Sequence, residues 1–297
     1  LLKPNKRKHA MTLTVVKDAP AELTTPEGLE LYHLSPNIGT EVLGIDLRQK
    51  LTSTLASFLK ALMLERKVIF FRDQDITIQQ HMDVCRTWGE LEIIDFLPQH
   101  PDYPEVLLIK RDKENKAYEN VWHSDVTWRE CPSFGSMLRA IEVPEVGGDT
   151  LFADMYAAYD GLPSSIKRAV EGMEAVHSVA NGLSLTQGAE KMQAMLKRFP
   201  AQTHPVIRVH PETGKKTIYV NRAHTSHLKG IRRDVGNDLL EILYNQAGTP
   251  EYQCRFRWRK NSIAFWDNRA CQHYAAADYF PQNREMLRVT IVGDKPF

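Results

Sequence analysis

The residues most suited to metal chemistry in this sequence are four histidines, each of which stands two residues before an acidic residue. They belong to a set of 11 histidines in 297 residues. In an extended segment, residues two apart point to the same side and can reach one metal ion, whereas on a helix they diverge by about 200°. The pairs are His81/Asp83, His100/Asp102, His123/Asp125 and His210/Glu212.

The surroundings of each pair separate them. His81/Asp83 lies inside a predicted helix, so its two side chains are expected to point apart. Two other pairs have proline between the histidine and the acid, which is typical of turns. His123/Asp125 is flanked by bulky residues at 121–128 that favour an extended, semi-buried backbone. A buried His/Asp pair needs a compensating partner, which a metal ion supplies; a buried ion pair is the alternative interpretation.

His273 is the strongest candidate for a third ligand. It follows an apolar, strand-like segment and precedes small residues at 275–277 that leave room. Two histidines and one carboxylate form the facial triad of non-haem Fe(II) oxygenases, which leaves three coordination positions open. His204, His224 and His227 remain rivals, ranked lower because they lie in polar, loop-like segments.

Two arginines downstream of His273 suit an anionic co-substrate at such open positions. Arg288 lies in an alternating, strand-like segment at 287–291, and Arg284 shares its face if that segment is extended. Two guanidinium groups beside apolar rows are costly unless anions pair with them. Arginine suits a carboxylate because it donates two parallel hydrogen bonds, although an ordinary ion pair with Asp or Glu is the alternative interpretation.

The elements that must position these residues are helices early in the chain and short strands later. Apolar spacing and capping residues predict helices at 52–66 and 77–87, one that begins near Pro163, and weaker ones at 187–198 and 234–246. Alternation and turn residues predict strands at 68–71, 134–143, 150–153, 206–209, 217–220, 254–258, 262–267 and 287–292. Because no βαβ rhythm occurs, this order indicates an α+β fold with an antiparallel sandwich or barrel.

Composition argues against several classes of protein. Lysine and arginine total 38 against 37 acidic residues, a net charge of +1, and 42% of the residues are apolar. These values are ordinary for a globular protein and argue against a disordered chain, a coiled coil or a partner made of nucleic acid. No apolar run reaches the ~18 residues that span a bilayer, so we expect no membrane partner.

Organisation and location follow from the cysteines and the ends of the chain. Four widely spaced cysteines without a C-x-x-C pair are typical of reduced thiols in a cytoplasmic protein. The basic start of the chain is not followed by the apolar segment of a signal peptide. Without repeats or a low-complexity linker, the sequence predicts a loose N-terminal tail over residues 1–15 and a single domain over residues 16–297.

Four motifs stand in a recognisable order and at a recognisable spacing. They are Trp122-His123-Ser124-Asp125, Gly147-Gly148-Asp149-Thr150, Trp266-Asp267-Asn268-Arg269 through His273, and Arg284 to Arg288. Together they resemble the taurine/2,4-D dioxygenase family, whose members depend on Fe(II) and 2-oxoglutarate. The resemblance runs from about residue 38 to residue 297, and the combination is far more specific than any one motif.

The resemblance implies a double-stranded β-helix (jelly-roll) core with surrounding helices. Fe(II) would be the metal, with 2-oxoglutarate and O2 as co-substrates. Thr150 and Arg284 would bind the distal carboxylate of 2-oxoglutarate, and Arg288 would hold the anionic group of the substrate. The implied reaction hydroxylates a substrate C–H bond while 2-oxoglutarate becomes succinate and CO2. The implied metal ligands are His123, Asp125 and His273.

The resemblance implies a class of substrate: a sulfonate, an alkyl sulfate, an aryloxyalkanoate or another small carboxylate. Taurine-using relatives carry a histidine where this chain has Ile94, which argues against taurine. Ile94 and Phe96, with Val126 and Trp128 near the metal, indicate a more hydrophobic substrate with one anionic end. Packing at the lip of the site is the alternative interpretation of these four residues. Residues 177–200 resemble the variable lid of the family.

Two other functions stay open at this point. A jelly-roll protein that binds a small molecule without catalysis would keep the same fold, and a zinc-dependent hydrolase would use the same three ligands. The sequence also leaves open the identity and stereochemistry of the substrate and whether the chain forms a homo-oligomer.

Overall fold

Helices and mainly antiparallel strands make up the structure, a computed structural model that describes residues 23–117, 119–183 and 189–297. The predicted tail at 1–15 lies outside the described residues. The described helices are α1 Ser53–Arg66, α2 Ile78–Arg86, α3 Met155–Asp160, α4 Ser164–Val170, α5 Val179–Leu183, α6 Ala189–Arg198 and α7 Arg233–Gln246, with a short 3-10 helix at Pro250–Tyr252. The described strands are β1 Glu30–His33, β2 Thr40–Leu43, β3 Val68–Phe71, β4 Gln99–His100, β5 Tyr103–Arg111, β6 Gly135–Glu142, β7 Thr150–Asp154, β8 Glu174–His177, β9 Gln202–Pro205, β10 Ile207–Val209, β11 Lys216–Ile218, β12 Thr225–Leu228, β13 Gln253–Phe256, β14 Ile263–Asp267, β15 Cys271–Ala275 and β16 Arg284–Ile291.

Two sheets carry the residues that matter for function. The larger has eight strands in the order β1-β2-β3-β14-β6-β16-β5-β4, and the smaller has the order β13-β7-β15. Strands β12-β8-β9 form a third sheet, and β10-β11 form a separate hairpin. Among these described strands, neighbours pair antiparallel except β2 and β3. The predicted combination of helices with antiparallel sheets is therefore confirmed.

The central strands of the large sheet are buried on both faces. In β3, Ile69 and Phe71 join the apolar cluster that α1 and α2 cover. Val68 and Phe70 point the other way, and the Phe70 ring stacks 4.0 Å from the ring of Phe256 in the small sheet. Burial on both faces explains why this strand is an unbroken apolar run instead of an alternating one.

Helix ends follow the predicted capping chemistry with one correction. The Thr52 hydroxyl accepts a hydrogen bond from the backbone of Leu55 at 3.2 Å, and α2 begins with the predicted capping box. The helix predicted from Pro163 is shorter than its apolar pattern, because Gly172, with a φ of +71°, ends the segment before Met173. No helix within the described ranges is long and apolar enough to cross a membrane.

Most predicted strands are present, and several others were missed. The strands predicted at 206–209 and 217–220 correspond to β10 and β11, which pair antiparallel. The predicted alternation in β13 is confirmed, because Cys254 and Phe256 are buried while Arg255 is exposed. Strand β5 was missed because Pro104 near its start and charged residues at both ends obscure its apolar centre. The other strands that were not predicted are β1, β2, β4, β8, β9, β12 and β15, which carries His273.

A buried charge network fixes the turn after β14. The Asp267 carboxylate accepts hydrogen bonds from Arg269 Nε (2.9 Å) and Nη2 (2.8 Å) and from His210 Nε2 (3.0 Å). His210 Nδ1 accepts from the backbone N–H groups of Glu212 and Thr213, so the proton of this ring lies on Nε2. Burial by itself would raise the pKa of the Asp267 carboxyl, but Arg269 and His210 outweigh it and hold that pKa far below its ordinary value.

We expect Asp267→Asn to lower the free energy of unfolding at pH 7 by about 3–5 kcal/mol. Arg269 pairs with the carboxylates of Asp267 and Glu212, and the variant removes the buried partner, Asp267. A depressed native pKa means that the unfolded chain binds the proton more readily. The stabilisation is therefore present above pH ~4 and is lost as the pH falls further. Denaturant unfolding at pH 7 and pH 3 measures both effects.

From pH 7 to pH 3, the free energy of unfolding should fall less in Asp267→Asn than in the wild type. Asp46→Asn is the matched control, because Asp46 also pairs with an arginine, Arg48, but at the surface. It should change stability little. Equal stability of Asp267→Asn and the wild type would contradict the prediction.

Candidate active site

The three predicted metal ligands meet between the two sheets. His123 Nε2 and His273 Nε2 each lie 3.9 Å from Asp125 Oδ1. One ligand atom from each residue lies within 4.8 Å of the others, and in the described part of the chain no other group of three His, Cys, Asp or Glu side chains does so. A distance of 3.9 Å is too long for a hydrogen bond. It suits two donors that share an ion at about 2.0–2.2 Å from each.

Backbone hydrogen bonds hold the two histidines side by side. His123 N donates to His273 O at 3.1 Å, and His273 N donates to His123 O at 2.8 Å. The Ser124 hydroxyl donates to Cys271 O at 3.1 Å and ties the same two segments again. This pairing brings together residues 150 positions apart in the chain, which the local pattern alone could not establish.

The backbone turns directly after Asp125. The extended segment expected over 121–128 is therefore wrong beyond the pairing at His123, because residues 125–128 form a turn. Val126 has a φ of +47°, and Arg129 N donates to Val126 O at 2.9 Å. The turn sends the side chains of Val126 and Trp128 to the cavity beside the metal ligands.

Asn268 clamps this turn and was missed as a functional residue. Its Oδ1 accepts from Asp125 N at 2.7 Å, and its Nδ2 donates to Asp125 O at 3.0 Å and to Ser133 O at 3.2 Å. Asn268 stands in the Trp-Asp-Asn-Arg motif at 266–269, but the sequence offered no sign of which residue its amide would contact.

The charges of the three ligands suit metal binding. His123 Nδ1 donates to Val121 O at 2.8 Å, which leaves the Nε2 lone pair facing Asp125. Burial, together with nearby His123, lowers the pKa of His273 to about 3, so this ring is neutral at pH 7. Burial would raise the pKa of Asp125, but Arg288 and the two neighbouring histidines hold it well below its ordinary value. The site therefore presents a carboxylate and the uncharged imidazole of His273.

The two predicted arginines share the face of β16 that points between the sheets. The strand is extended over both, and Met286 between them packs in the intersheet cluster. Arg288 Nη1 donates to Asp125 Oδ1 at 2.9 Å. Arg288 therefore forms the ion pair with an acidic residue that was the alternative interpretation of the sequence. Arg284 is 5% exposed, and its Nε and Nη2 have no hydrogen-bond partner among the described residues. A buried guanidinium in this state is suited to a bound anion.

Thr150 and the Arg284 guanidinium both lie beside Trp258. The Trp258 indole N–H donates to the Thr150 hydroxyl at 2.9 Å. The Arg284 guanidinium carbon lies 5.9 Å from the centre of the Trp258 ring. Thr150, Trp258 and Arg284 therefore form one group, of which only the tryptophan was absent from the predicted residues.

A cavity of about 420 Å³ opens onto His123 and Asp125. Four predicted residues, Phe96, Val126, Trp128 and Arg288, line it, whereas Ile94 is buried and does not. The other apolar lining residues are Leu97, Pro98, Leu107, Leu108, Ile109, Val121 and Ala223. The other polar lining residues are Arg111, Asn115, Lys116, Glu119 and His224. The cavity thus combines an apolar wall with charged groups.

The end of α6 reaches the rim of this cavity. The ring of Phe199 lies 4.8 Å from that of Trp128 and 5.3 Å from that of Phe96. Arg198 Nη2 donates to both carboxylate oxygens of Asp95, at 2.8 and 2.7 Å. The predicted lid at 177–200 is described except for residues 184–188, and its role as a lid stays a prediction.

The rival histidines lie outside the group of ligands. His224 lines the cavity with its ring centre 6.2 Å from that of His123. His204 lies in β9 and His227 in β12, so the expectation of loops was wrong for both. His81 lies in α2 with its Nε2 3.2 Å from Met137 O in the core, as the helical geometry predicted.

Comparison with known proteins places this architecture in a family. The model of the family described as "Taurine catabolism dioxygenase TauD, TfdA family" matches residues 30–290. An alkylsulfatase of Acinetobacter baylyi is 34% identical over 277 residues, which cover 90% of this chain and 86% of the relative. An alpha-ketoglutarate-dependent sulfate ester dioxygenase of Pseudomonas putida is 32% identical, with 92% and 93% covered.

Solved structures agree with the sequence comparisons. A putative alpha-ketoglutarate-dependent taurine dioxygenase from Burkholderia xenovorans has a TM-score of 0.80 and 34% identity, and the match covers 90% of this chain and 94% of that one. A protein named AAD-2, solved with Mn(II) and N-oxalylglycine, has a TM-score of 0.75 and 29% identity over 90% of this chain and 98% of its own. This chain belongs to the taurine catabolism dioxygenase TauD, TfdA family.

Proposed function

We propose that the protein is an Fe(II)- and 2-oxoglutarate-dependent dioxygenase that hydroxylates a C–H bond of a small anionic organic substrate. In the coupled reaction 2-oxoglutarate loses CO2 and becomes succinate. One atom of O2 enters succinate and the other enters the hydroxylated substrate. The observation that carries the proposal is that two histidines and one carboxylate converge beside a cavity that Arg288 also lines. The buried Arg284 lies on the same face of β16 as Arg288.

The donor set fits Fe(II). Two imidazole nitrogens and one carboxylate oxygen on one side of an ion leave the opposite positions open, as in non-haem Fe(II) oxygenases. The His123 hydrogen bond to Val121 O orients its ring, and the Asn268 contacts orient Asp125. Fe(II) bound here would supply the activation of O2 and the oxidation of the substrate.

Arg284 and Thr150 are proposed to bind the distal carboxylate of 2-oxoglutarate. Support comes from the Nε and Nη2 atoms of Arg284, which have no partner within the described part of the chain, and from its packing over Trp258. The guanidinium would donate two parallel hydrogen bonds to one carboxylate. The Thr150 hydroxyl, held by the Trp258 N–H, would donate a further one. The AAD-2 structure carries N-oxalylglycine, a dicarboxylate of similar shape.

The substrate is proposed to be an amphiphilic anion. Arg288 would hold the anionic group beside the metal and divide its hydrogen bonds between that group and Asp125. Phe96, Val126 and Trp128 would enclose an apolar body and exclude water from the reacting carbon. Relatives are named for alkyl sulfates, sulfate esters and 2,4-dichlorophenoxyacetate, the last from Cupriavidus pinatubonensis at 31% identity. A role for Ile94 in substrate choice stays a prediction.

The proposal extends to the organisation of the chain. The two facing sheets would form the double-stranded β-helix (jelly-roll) core, within a single domain over residues 16–297. A cytoplasmic location is supported by the cysteines, because all four are free, and three of them are buried.

Turnover with a panel of anions tests the proposed function. With Fe(II), O2 and 2-oxoglutarate, we expect succinate to form faster with hexyl sulfate or 2,4-dichlorophenoxyacetate than with taurine. Each methylene that enters the apolar wall adds about 0.8 kcal/mol of binding, or roughly fourfold in kcat/KM. Activity without 2-oxoglutarate would favour a zinc hydrolase instead. Absence of both succinate formation and Fe(II) binding would favour a non-catalytic binding protein.

Removal of a ligand tests the metal site. His123→Ala and Asp125→Ala should abolish stoichiometric Fe(II) binding and activity, because two donors do not hold the ion at micromolar concentration. His81→Ala is the control, since its ring contacts the core backbone and not the site. It should retain bound iron, measured as iron content after anaerobic loading and desalting. Loss of iron in His81→Ala alone would refute this assignment of ligands.

The binding of 2-oxoglutarate depends on Arg284 in this proposal. Arg284→Ala should raise the KM for 2-oxoglutarate by about 30-fold or more, since loss of one partner of a buried charge pair costs about 2 kcal/mol or more. The KM of Arg284→Lys should lie between those of the wild type and Arg284→Ala, because an ammonium group cannot make the two parallel hydrogen bonds. Fe(II) affinity should stay unchanged in both variants. An unaltered KM in Arg284→Ala would remove the residue from the co-substrate site.

A further inference from the structure

The turn that carries Asp125 is held in an unfavourable conformation. Val126 adopts a φ of +47°, a region that β-branched residues avoid because the side chain collides with the backbone. Val126 is the residue directly after Asp125, so the direction of the carboxylate and the strained dihedral angle are set together. Outliers of this kind persist only where the surrounding contacts outweigh the strain.

Three contacts hold the turn on either side of the strained residue. Asn268 Oδ1 accepts from Asp125 N at 2.7 Å, and Asn268 Nδ2 donates to Asp125 O at 3.0 Å. On the other side, Arg129 N donates to Val126 O at 2.9 Å. Asn268 therefore satisfies both backbone groups of Asp125, while the carboxylate itself contacts Arg288 and, at 3.4 Å, the Ser136 hydroxyl.

The support for Asn268 is itself rigid. Asn268 N donates to Phe134 O at 3.0 Å, and Asn268 is 1% exposed. The preceding residue, Asp267, is fixed by Arg269 and His210 in the buried charge network after β14. The same turn leads into β15 and His273. One rigid turn thus connects a metal-ligand histidine with the clamp on the metal-ligand carboxylate.

We propose that Asn268 is the positioning residue of the metal site. Its amide holds Val126 in the left-handed conformation and so aims Asp125 at the two histidines. Asn268 does not touch the metal, the co-substrate or the substrate in this proposal. The proposal rests on the metal site of the proposed function, but not on 2-oxoglutarate or on turnover.

Co(II) affinity and the Co(II) visible spectrum test the proposal. Asn268→Ala should weaken Co(II) binding by about 10- to 100-fold, the range for residues that orient metal ligands. It should also shift the Co(II) absorption bands, because Asp125 no longer holds its position. Asn268→Ser, which retains a shorter polar side chain, is measured in parallel so that the result does not depend on one variant.

Gln74→Ala is the matched control. The buried Gln74 amide makes the same kind of clamp, accepting from Leu47 N at 2.8 Å and donating to Ile45 O at 3.0 Å, but it does not line the cavity. The midpoint temperature of thermal unfolding should be lower than that of the wild type in the Gln74 and Asn268 variants alike. Co(II) affinity should fall only in the Asn268 variants. An equal loss of affinity in Gln74→Ala would reduce the Asn268 effect to general destabilisation and overturn the proposal.

A double-mutant cycle with Val126→Gly tests the strain. Glycine adopts a positive φ at no steric cost, so the turn keeps its shape with less help from the clamp. The loss of Co(II) affinity caused by Asn268→Ala should therefore be several-fold smaller in the Val126→Gly background. Equal losses in the two backgrounds, or unchanged affinity in both Asn268 variants, would overturn the proposal. Absence of succinate formation with this Co(II) pattern intact would count against the proposed reaction alone.

Discussion

Burial of the Asp125 carboxylate is the constraint on which the rest of the site depends. This group is 5% exposed, and a buried charge is stable only beside charges or hydrogen-bond donors that compensate it. Arg288 at 2.9 Å supplies one compensating charge, and the two imidazoles at 3.9 Å leave space for a second. A divalent cation between the three ligands would complete this balance. The same requirement explains why Asn268 satisfies both backbone groups of the aspartate.

The two-sided large sheet makes such a site possible. Residues of β3, β6, β14 and β16 alternate between the cluster under the helices and the cluster between the sheets. Apolar residues form the cluster between the sheets, and a few polar side chains point into the same space. Strand β16 illustrates this, because Arg284 and Arg288 flank Met286 on one face while Leu287 and Val289 pack under the helices on the other.

The sequence was most informative where one local rule governs the structure. Capping residues located the starts of α1 and α2. The alternation at 287–291, continued back to residue 284, placed both arginines on one face. The residues that surround each pair selected His123 and Asp125 among four pairs of equal spacing. Local rules failed where distant contacts override preference. The bulky residues around Val126 favour an extended backbone, yet Asn268 and Arg129 hold a turn there. Strand β5 was missed because its pairing with β16, not its own pattern, makes it a strand.

The sequence by itself determined which chemistry is available: two histidines and a carboxylate as candidate ligands, and two arginines for anions. These assignments depend on residue type and short spacing, which are properties of the chain alone. Only the tertiary structure decided which histidine joins His123 and Asp125, because the reciprocal hydrogen bonds to His273 span 150 residues. It also decided that Arg288 pairs with Asp125, while Arg284 keeps donors without a partner among the described residues. Burial and distance in three dimensions, not sequence separation, determine which charges meet.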